Sequence, residues 1–133
     1  MRIEPLYVVD THALIWYLTN DKKLGPQASQ VFAAAERGQT RLVISSIVIA
    51  EMYYANRKNN WFADFNAMLQ QLRAKPYFRF VSFRTNHVLD FGKDMAVPEM
   101  HDRIIAGLAR GIGAPILTFD SQITAANIVT VVW

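Results

Sequence analysis

The sequence contains no cysteine and no long apolar run. Without cysteine the chain can have neither disulfides nor thiolate ligands for a metal, which fits a reducing compartment such as the cytoplasm. No apolar stretch approaches the roughly 20 residues that span a bilayer. The first segment, "MRIEPLYVVD", meets an acid too early for a signal peptide. These absences predict a cytoplasmic protein without a membrane segment.

Charged residues are also scarce, at 19% of the chain, whereas 52% of the residues are hydrophobic. This balance excludes a disordered chain and favours a packed globule. A length of 133 residues predicts a single domain over residues 1–133. The 14 Lys and Arg residues exceed the 11 Asp and Glu residues only slightly, so the net charge of +3 is compatible with a polyanionic partner without identifying one.

Strand-like and helix-like segments alternate along the chain. The apolar, β-branched runs typical of buried parallel strands are "PLYVVD", "TRLVISS", "FRFVSF", "APILTFD" and "NIVTVVW". The segments with helical patterns are "THALIWYLTN", "PQASQVFAAAERG", "IVIAEMYYANRKN", "WFADFNAMLQQLRAK", "TNHVLDFGKDMA" and "EMHDRIIAGLARGIG". This alternation predicts an α/β fold with a largely parallel sheet, whose strands end at one edge where ligands bind.

Two of these strands end in an acid. Asp10 closes "YVVD" and Asp120 closes "ILTFD", so a parallel sheet would bring both carboxylates to the ligand-binding edge. Either residue alone could simply cap the next helix, because Asp is a favoured N-cap residue. The presence of both favours a shared site.

Two more acids lie in helices with apolar surroundings. Glu51 has four apolar residues on each side in "IVIAEMYYA", which predicts a helix buried on most faces and a carboxylate that is costly to desolvate. The alternative is a buried salt bridge to Arg57, or a narrow solvated stripe. Asp102 shares a helical face with Ala106 and Ala109, which allow close approach to the sheet. Its alternative is an ordinary acid at a helix start.

The remaining acids differ in setting. Those in polar or helix-end contexts, which we expect at the solvated surface, are Asp21, Glu36, Asp64, Asp94 and Glu99. We also leave Asp90 outside the predicted site. Four carboxylates in one low-dielectric cleft repel one another unless cations neutralise them. Oxygen donors suit Mg²⁺ or Mn²⁺, whereas zinc prefers imidazoles and thiolates. Such a cluster is well matched to hydrolysis of phosphodiesters, in which a metal activates water and stabilises charge at phosphorus.

Four segments together resemble a known family. In chain order, "VVDTHALIWYL", "ISSIVIAEMYYA", "HDRIIAGLA" and "ILTFDSQI" are similar to the four acidic motifs of PIN-domain ribonucleases, particularly the small bacterial VapC-type toxins of toxin–antitoxin modules. The resemblance implies a three-layer α/β/α sandwich around a mostly parallel sheet, and Mg²⁺- or Mn²⁺-dependent endonucleolytic cleavage of RNA. It also implies a homodimer and a cognate antitoxin whose C-terminal segment occupies the active groove.

The same resemblance assigns roles to individual residues. The metal-binding, catalytic acids would be Asp10, Glu51, Asp102 and Asp120. Thr11 matches a hydroxyl residue that follows the first acid, and Ser46 one that precedes the second motif. Either would orient a ligand, water or phosphate, although both are also good helix caps and for Ser46 we favour capping. Arg103 is the leading candidate for holding the RNA backbone, with an ion pair to neighbouring acids as its alternative.

Two further features concern substrate contact and helix packing. Arg57 and Lys58 precede Trp61 in "NRKNNW", a basic and aromatic pairing that could contact phosphate and stack a base. A solvated helix end with a packed tryptophan is the alternative that we favour. Gly107 occupies a position where relatives often have a larger residue or alanine, which predicts a looser helix.

Other classes of protein fit the pattern less well. A receiver-type signalling domain has a similar length and organisation, but normally shows two adjacent acids after the first strand and a lysine after a late strand. A phosphohydrolase built on a His-Asp pair at residues 101 and 102 would need several more histidines, and His12 and His87 lie in unrelated contexts. A PIN fold without nuclease activity would leave the desolvated charges without a compensating ion. RNA processing outside a toxin system would use the same site, so it stays an alternative.

Overall fold

A computed structural model describes residues 4–133 of the chain. Residues 1–3, the beginning of the segment used for the signal-peptide prediction, lie outside the described residues. The strands and α-helices of the described part, in chain order, are β1 (Leu6–Val9), α1 (Thr11–Leu18), α2 (Pro26–Glu36), β2 (Arg41–Ser45), α3 (Ser46–Asn59), α4 (Phe65–Ala74), β3 (Phe78–Val81), α5 (Thr85–Val88), α6 (Met100–Ile112), β4 (Ile116–Leu117), α7 (Ser121–Ala126) and β5 (Val131–Val132).

The strands form one sheet in the order β3-β2-β1-β4-β5, and every pair of neighbours is parallel. Helices flank this sheet, which confirms the predicted α/β/α sandwich with a parallel centre. From β1, the strands β2 and β3 are added on one side and the strands β4 and β5 on the other, so the switch point of the sheet lies between β1 and β4. In open parallel sheets this switch point leaves a crevice at the carboxyl ends of the strands, where ligands bind. Asp10 and Asp120 therefore follow the two strands that border the crevice.

The core lies on both faces of the sheet. Val8 and Val9 of β1 are fully buried, as expected for a central strand covered by helices on both sides. Leu14 and Ile15 of α1 and Ile105 of α6 are buried against the same core. None of the helices described within residues 4–133 combines the length and the apolar character that crossing a bilayer requires.

The helix predicted over residues 85–96 is broken in the structure. The segment forms only α5 and a short 3-10 helix at Phe91–Asp94. The prediction that Asp94 is a solvated surface acid was wrong, because its side chain is almost completely buried and both of its carboxylate oxygens accept hydrogen bonds from Arg110. Arg110 Nη2 lies 3.2 Å from Asp94 Oδ2. The buried ion pair replaces the continuous helix that the periodicity predicted.

The same ion pair explains the glycine in α6. A Cβ atom added to Gly107 would lie 2.6 Å from Asp94 Oδ2, closer than any ordinary van der Waals contact. Gly107 therefore lets the Asp94 carboxylate approach the helix on its way to Arg110. This close approach explains the glycine at position 107, which the sequence alone associated with a looser helix.

Candidate active site

The four predicted acids line a single cleft at the carboxyl edge of the sheet. The cleft has a volume of about 520 Å³. The residues that line it are Asp10, Thr11, His12, Trp16, Glu51, Glu99, Asp102, Phe119 and Asp120. The fold thus gathers the four predicted carboxylates from separate segments of the chain. Glu99, which lies next to the Asp102 segment, is a fifth carboxylate in the cleft.

Asp10 is the most deeply placed of these acids. It follows β1, caps α1 and is only 7% exposed. Its Oδ1 accepts a hydrogen bond from the Thr11 backbone N–H at 2.7 Å, and its Oδ2 accepts one from the Thr118 hydroxyl at 2.6 Å. Burial raises the pKa of the Asp10 carboxyl, and these two hydrogen bonds oppose the shift. Asp10 therefore has both of the roles that were predicted as alternatives: it caps a helix and it lines the cleft.

Glu51 reaches the cleft from the middle of α3. The Thr11 hydroxyl donates a hydrogen bond to Glu51 Oε1 at 2.7 Å. Burial raises the pKa of Glu51, and the nearby charge of Asp10 raises it further. Within residues 4–133 Glu51 makes no salt bridge, so the alternative of a pair with Arg57 does not apply. The prediction that α3 is buried on most faces was wrong, because Tyr53 and other residues of this helix are exposed.

Asp102 lies in the first turn of α6 and is surrounded by other carboxylates. Burial, followed by the charges of four other carboxylates, raises its pKa to about 7; those carboxylates belong to Asp120, Asp10, Glu99 and Glu51. Its side chain accepts no hydrogen bond from the residues that the structure describes. A carboxyl group shifted this far shows that all five acids share one electrostatic environment.

Asp120 and Glu99 each combine a helix cap with a place in the cleft. Asp120 Oδ1 accepts hydrogen bonds from the N–H groups of Gln122 and Ile123, at 2.8 and 2.9 Å, and thereby caps α7. Glu99 Oε2 accepts from the Asp102 N–H at 2.7 Å, and Glu99 Oε1 lies 2.9 Å from His101 Nδ1. Although burial opposes it, these hydrogen bonds lower the pKa of Glu99.

Two residues of the site, Glu99 and Thr118, were not predicted from the sequence. Glu99 is exposed, as predicted, but it lines the cleft, because its position as N-cap of α6 brings it beside Asp102. The three-residue spacing between these two acids could have revealed this. Thr118 connects β4 to Asp10 through its hydroxyl, and an isolated threonine before a strand-end acid carries no comparable pattern.

Two predicted substrate-binding residues lie outside the cleft. Ser46 is the first residue of α3, and its hydroxyl accepts a hydrogen bond from the Phe83 N–H at 3.0 Å. The cap of that helix is Ser45 instead. Arg103 Nε donates to the Val97 carbonyl at 2.8 Å, and Arg103 is not among the residues that line the cleft. Of the three candidates for substrate binding, only Thr11 lies in the cleft.

The donor set fits a hard divalent cation. Five carboxylates line the cleft, and none of its lining residues within 4–133 is a lysine or arginine. All of the predicted ligand atoms are oxygens, which Mg²⁺ and Mn²⁺ prefer. In the part of the chain that the structure describes, however, no three of these side chains are already arranged as a metal-binding group. A divalent ion held by three of them would require these carboxylates to lie closer together than they do in the structure.

These observations define a class of protein: a parallel α/β domain with a cleft that holds five carboxylates at the switch point of its sheet. A family model agrees with this class, because the model for the PIN domain matches residues 7–128. The chain belongs to the PIN domain family. A search of curated proteins finds no match.

Solved structures share the fold at low sequence identity. VapC20 of Mycobacterium tuberculosis, described as a sarcin-ricin loop cleaving toxin, has a TM-score of 0.72 at 14% identity, over 96% of this chain and 99% of that one. DNA-bound VapBC from Salmonella typhimurium gives a TM-score of 0.69 at 18% identity, over 96% of each chain. VapBC2 from Rickettsia felis, bound to a DNA fragment from its promoter, has a TM-score of 0.67 at 16% identity, over 95% of this chain and 96% of that one.

Proposed function

We propose that this protein is an endoribonuclease that depends on Mg²⁺ or Mn²⁺ and serves as the toxin of a type II toxin–antitoxin pair. The observation that carries the proposal is the convergence of five carboxylates in one cleft whose described lining has no lysine or arginine. Such a concentration of negative charge is costly unless a cation neutralises it. A divalent ion bound by carboxylates is the usual apparatus for hydrolysing phosphodiesters.

In the proposed site, the residues that would hold the ion are Asp10, Glu51, Asp102 and Asp120. A divalent ion bound there would supply a water molecule of lowered pKa and a positive charge opposite the scissile phosphate. Two threonines orient the ligands: Thr118 holds Asp10, and Thr11 holds Glu51. Each carboxylate oxygen has two lone pairs, so Asp10, whose two oxygens each accept one hydrogen bond, and Glu51, which accepts one, still have capacity for a metal.

The choice of RNA as the substrate is supported by the fold and by charge. VapC20, which shares the fold, is described as cleaving the sarcin-ricin loop. Phosphate groups cannot approach five carboxylates unless a cation intervenes, so a metal would recruit the substrate as well as activate water. The net charge of +3 is compatible with a polyanionic substrate.

We further propose a homodimer and a cognate antitoxin whose C-terminal segment occupies the active groove. The similarity to VapBC structures bound to DNA supports a partner of this type. An enzyme that acts on cellular RNA would work in the cytoplasm, and the absence of cysteine is compatible with that compartment.

Cleavage of a labelled RNA by the purified protein tests the catalytic part of the proposal. We expect cleavage with Mg²⁺ or Mn²⁺, none with EDTA, and a loss of at least about 100-fold in Asp10→Asn, because this variant removes a charged ligand of the ion. Asp64→Asn is the matched control, since Asp64 caps α4 outside the cleft and Asn caps equally well. Equal cleavage by wild type and Asp10→Asn would contradict the proposal.

The alternative is an RNA-processing nuclease outside a toxin system, which the same site would serve. A small reading frame immediately upstream that encodes an antitoxin-like protein would distinguish the two. In a toxin–antitoxin pair, coexpression of that protein should abolish both the growth arrest and the RNA cleavage. Membership of the PIN domain family leaves no support for a receiver-type signalling domain.

A further inference from the structure

Part of the cleft lining is aromatic. His12, Trp16 and Phe119 line the cleft together with the carboxylates. Phe119 is 67% exposed, although it lies between the buried Thr118 and the cleft residue Asp120. A single exposed ring on a protein surface needs no explanation. This ring, however, belongs to an aromatic group and stands beside the acids of the proposed catalytic site.

The aromatic group consists of His12, Trp16, Phe119 and Trp133. Trp16 is its centre: its ring centroid lies 5.6 Å from that of His12, 5.9 Å from Phe119 and 5.7 Å from Trp133. The Phe119 and Trp133 centroids are 5.7 Å apart. These are the distances of tilted and edge-to-face ring contacts. Phe119 is thus supported by two indole rings while most of its own surface stays exposed.

The backbone on both sides of Phe119 is also fixed. The Thr118 hydroxyl donates to Asp10 Oδ2 at 2.6 Å and accepts from the Asp120 N–H at 3.0 Å. Asp120 in turn caps α7 with its carboxylate. The exposed ring is therefore held in one place relative to Asp10 and Asp120. When a ligand covers this ring, the protein therefore loses little conformational freedom.

The charge of the cleft determines which part of a nucleic acid can bind this ring. Five carboxylates repel a phosphate wherever no cation intervenes, whereas a nucleobase is neutral and presents a flat π face. A cation adjoins the same aromatic group, because Lys23 Nζ lies 5.7 Å from the Trp16 ring centroid. Lys23 is suited to a phosphate that flanks the stacked base.

We propose that Phe119, supported by Trp16 and Trp133, stacks an unpaired nucleobase of the RNA substrate next to the scissile phosphate. This inference rests on the proposed ribonuclease function and adds a recognition element to it. Stacking requires a base that is not paired in a duplex, so the enzyme selects single-stranded or looped RNA. The stacked base contributes affinity, while the carboxylates and their ion carry out the chemistry.

Steady-state cleavage of a fluorogenic single-stranded RNA tests the stacking. Phe119→Leu keeps an apolar side chain but removes the π face, and we expect KM to rise about 10-fold with kcat changed less than about twofold. Phe119→Tyr restores the π face and should behave like the wild type. Phe80→Leu is the matched control, because Phe80 is 38% exposed and lies on β3, at the opposite edge of the sheet from β4 and β5.

Binding measurements separate stacking from phosphate contacts. Fluorescence anisotropy with a labelled RNA of about 12 nucleotides, and with the same backbone carrying abasic positions, would be measured in an Asp102→Asn background, which removes a proposed metal ligand and leaves the hydrogen bond between Thr118 and Asp10 intact. We expect Phe119→Leu to weaken binding of the base-containing RNA about 10-fold and to leave binding of the abasic one unchanged.

Two results would overturn the inference, and they differ in reach. If the wild type cleaves RNA and Phe119→Leu matches it in KM and affinity for both oligonucleotides, stacking is wrong and the ring is left to a protein contact. The ribonuclease function survives that result. If the wild type neither binds nor cleaves RNA, both the function and the stacking fall.

Discussion

Helix α6 carries two acidic sites that differ in how their charge is balanced. Near the end of the helix, Arg110 pairs with Asp94, whose side chain is only 2% exposed. At its start, Asp102 faces four other carboxylates in a cleft whose described lining offers no lysine or arginine. The first acid is neutralised by its own chain and stabilises a loop. The second site, among the residues that the structure describes, has no lysine or arginine to balance its charge, so its carboxylates are neutralised by protons or by a bound cation.

The largest expected effect comes from removing the internal cation. Arg110→Met would leave Asp94 buried and unpaired, and we expect the free energy of unfolding to fall by about 3 kcal/mol. Chemical denaturation followed by circular dichroism measures this loss. The double variant Asp94→Asn with Arg110→Met should recover much of it, because no uncompensated charge remains. A single variant as stable as the wild type would show that the pair is dispensable.

The ion pair also predicts opposite effects for two glycines of the same helix. Gly107→Ala places a methyl group 2.6 Å from Asp94 Oδ2, and we expect a loss of about 1–2 kcal/mol despite the better helix propensity of alanine. Among residues 4–133, nothing lies within 4 Å of a Cβ atom at Gly111, so Gly111→Ala should stabilise the protein by up to about 1 kcal/mol. Thermal unfolding of the two variants compares them directly, and equal shifts would contradict the close approach of Asp94.

The uncompensated cleft predicts an unusual dependence of stability on pH. The pKa of Asp102 is about 7 in the folded chain and near 3.8 in the unfolded one, so the native state binds the proton more tightly between these values. Stability should therefore fall as pH rises from about 4 to 7 and then level off, by roughly 1 kcal/mol after allowing for solvent screening. Asp102→Asn should abolish this contribution, as measured by thermal unfolding in EDTA. An unchanged slope in that variant would assign the pH dependence to other groups.

Added metal should restore the stability that the ionised carboxylates of the cleft cost at neutral pH. At ten times its dissociation constant, Mg²⁺ or Mn²⁺ is expected to stabilise the folded protein by about 1.4 kcal/mol, because it binds only the native cleft. Thermal unfolding at pH 8 with increasing metal measures this gain. Asp102→Asn should respond less, whereas Gly111→Ala should respond like the wild type. A wild-type transition that metal does not shift would contradict the cation site.

The sequence predicted the parallel α/β fold and the grouping of four acids because both depend on local patterns. Buried parallel strands are continuous apolar runs, and an acid that ends such a run is conspicuous. Asp10 and Asp120 follow this pattern, and the order of the sheet brings their strands side by side. Glu51 was found by its apolar context, although its helix is more exposed than that context indicated.

The remaining features depend on contacts between distant residues, which no local pattern reveals. Asp94 has a polar neighbourhood in sequence, but its burial is determined by an arginine on another helix. The side chain of Arg103 follows Asp102 directly, yet the Val97 carbonyl holds it elsewhere. Likewise, the exposure of Phe119 contradicts its apolar character. It follows from the hydrogen bonds on both sides of it rather than from its own residue type.

A single hydroxyl, that of Thr118, forms hydrogen bonds to two acids, Asp10 and Asp120, that are 110 positions apart in the chain. It bonds at once to the first acid's side chain and to the last acid's main chain, so β1 and β4 cannot slide past each other without disturbing both. Valine has the same shape and would fill the same space in the core. With valine there, the Asp10 N–H would still bond to the Leu117 carbonyl at 3.0 Å, but the Asp10 side chain and the Asp120 backbone would lose their shared partner. One oxygen atom thus joins the side chain of one proposed ligand to the backbone of another.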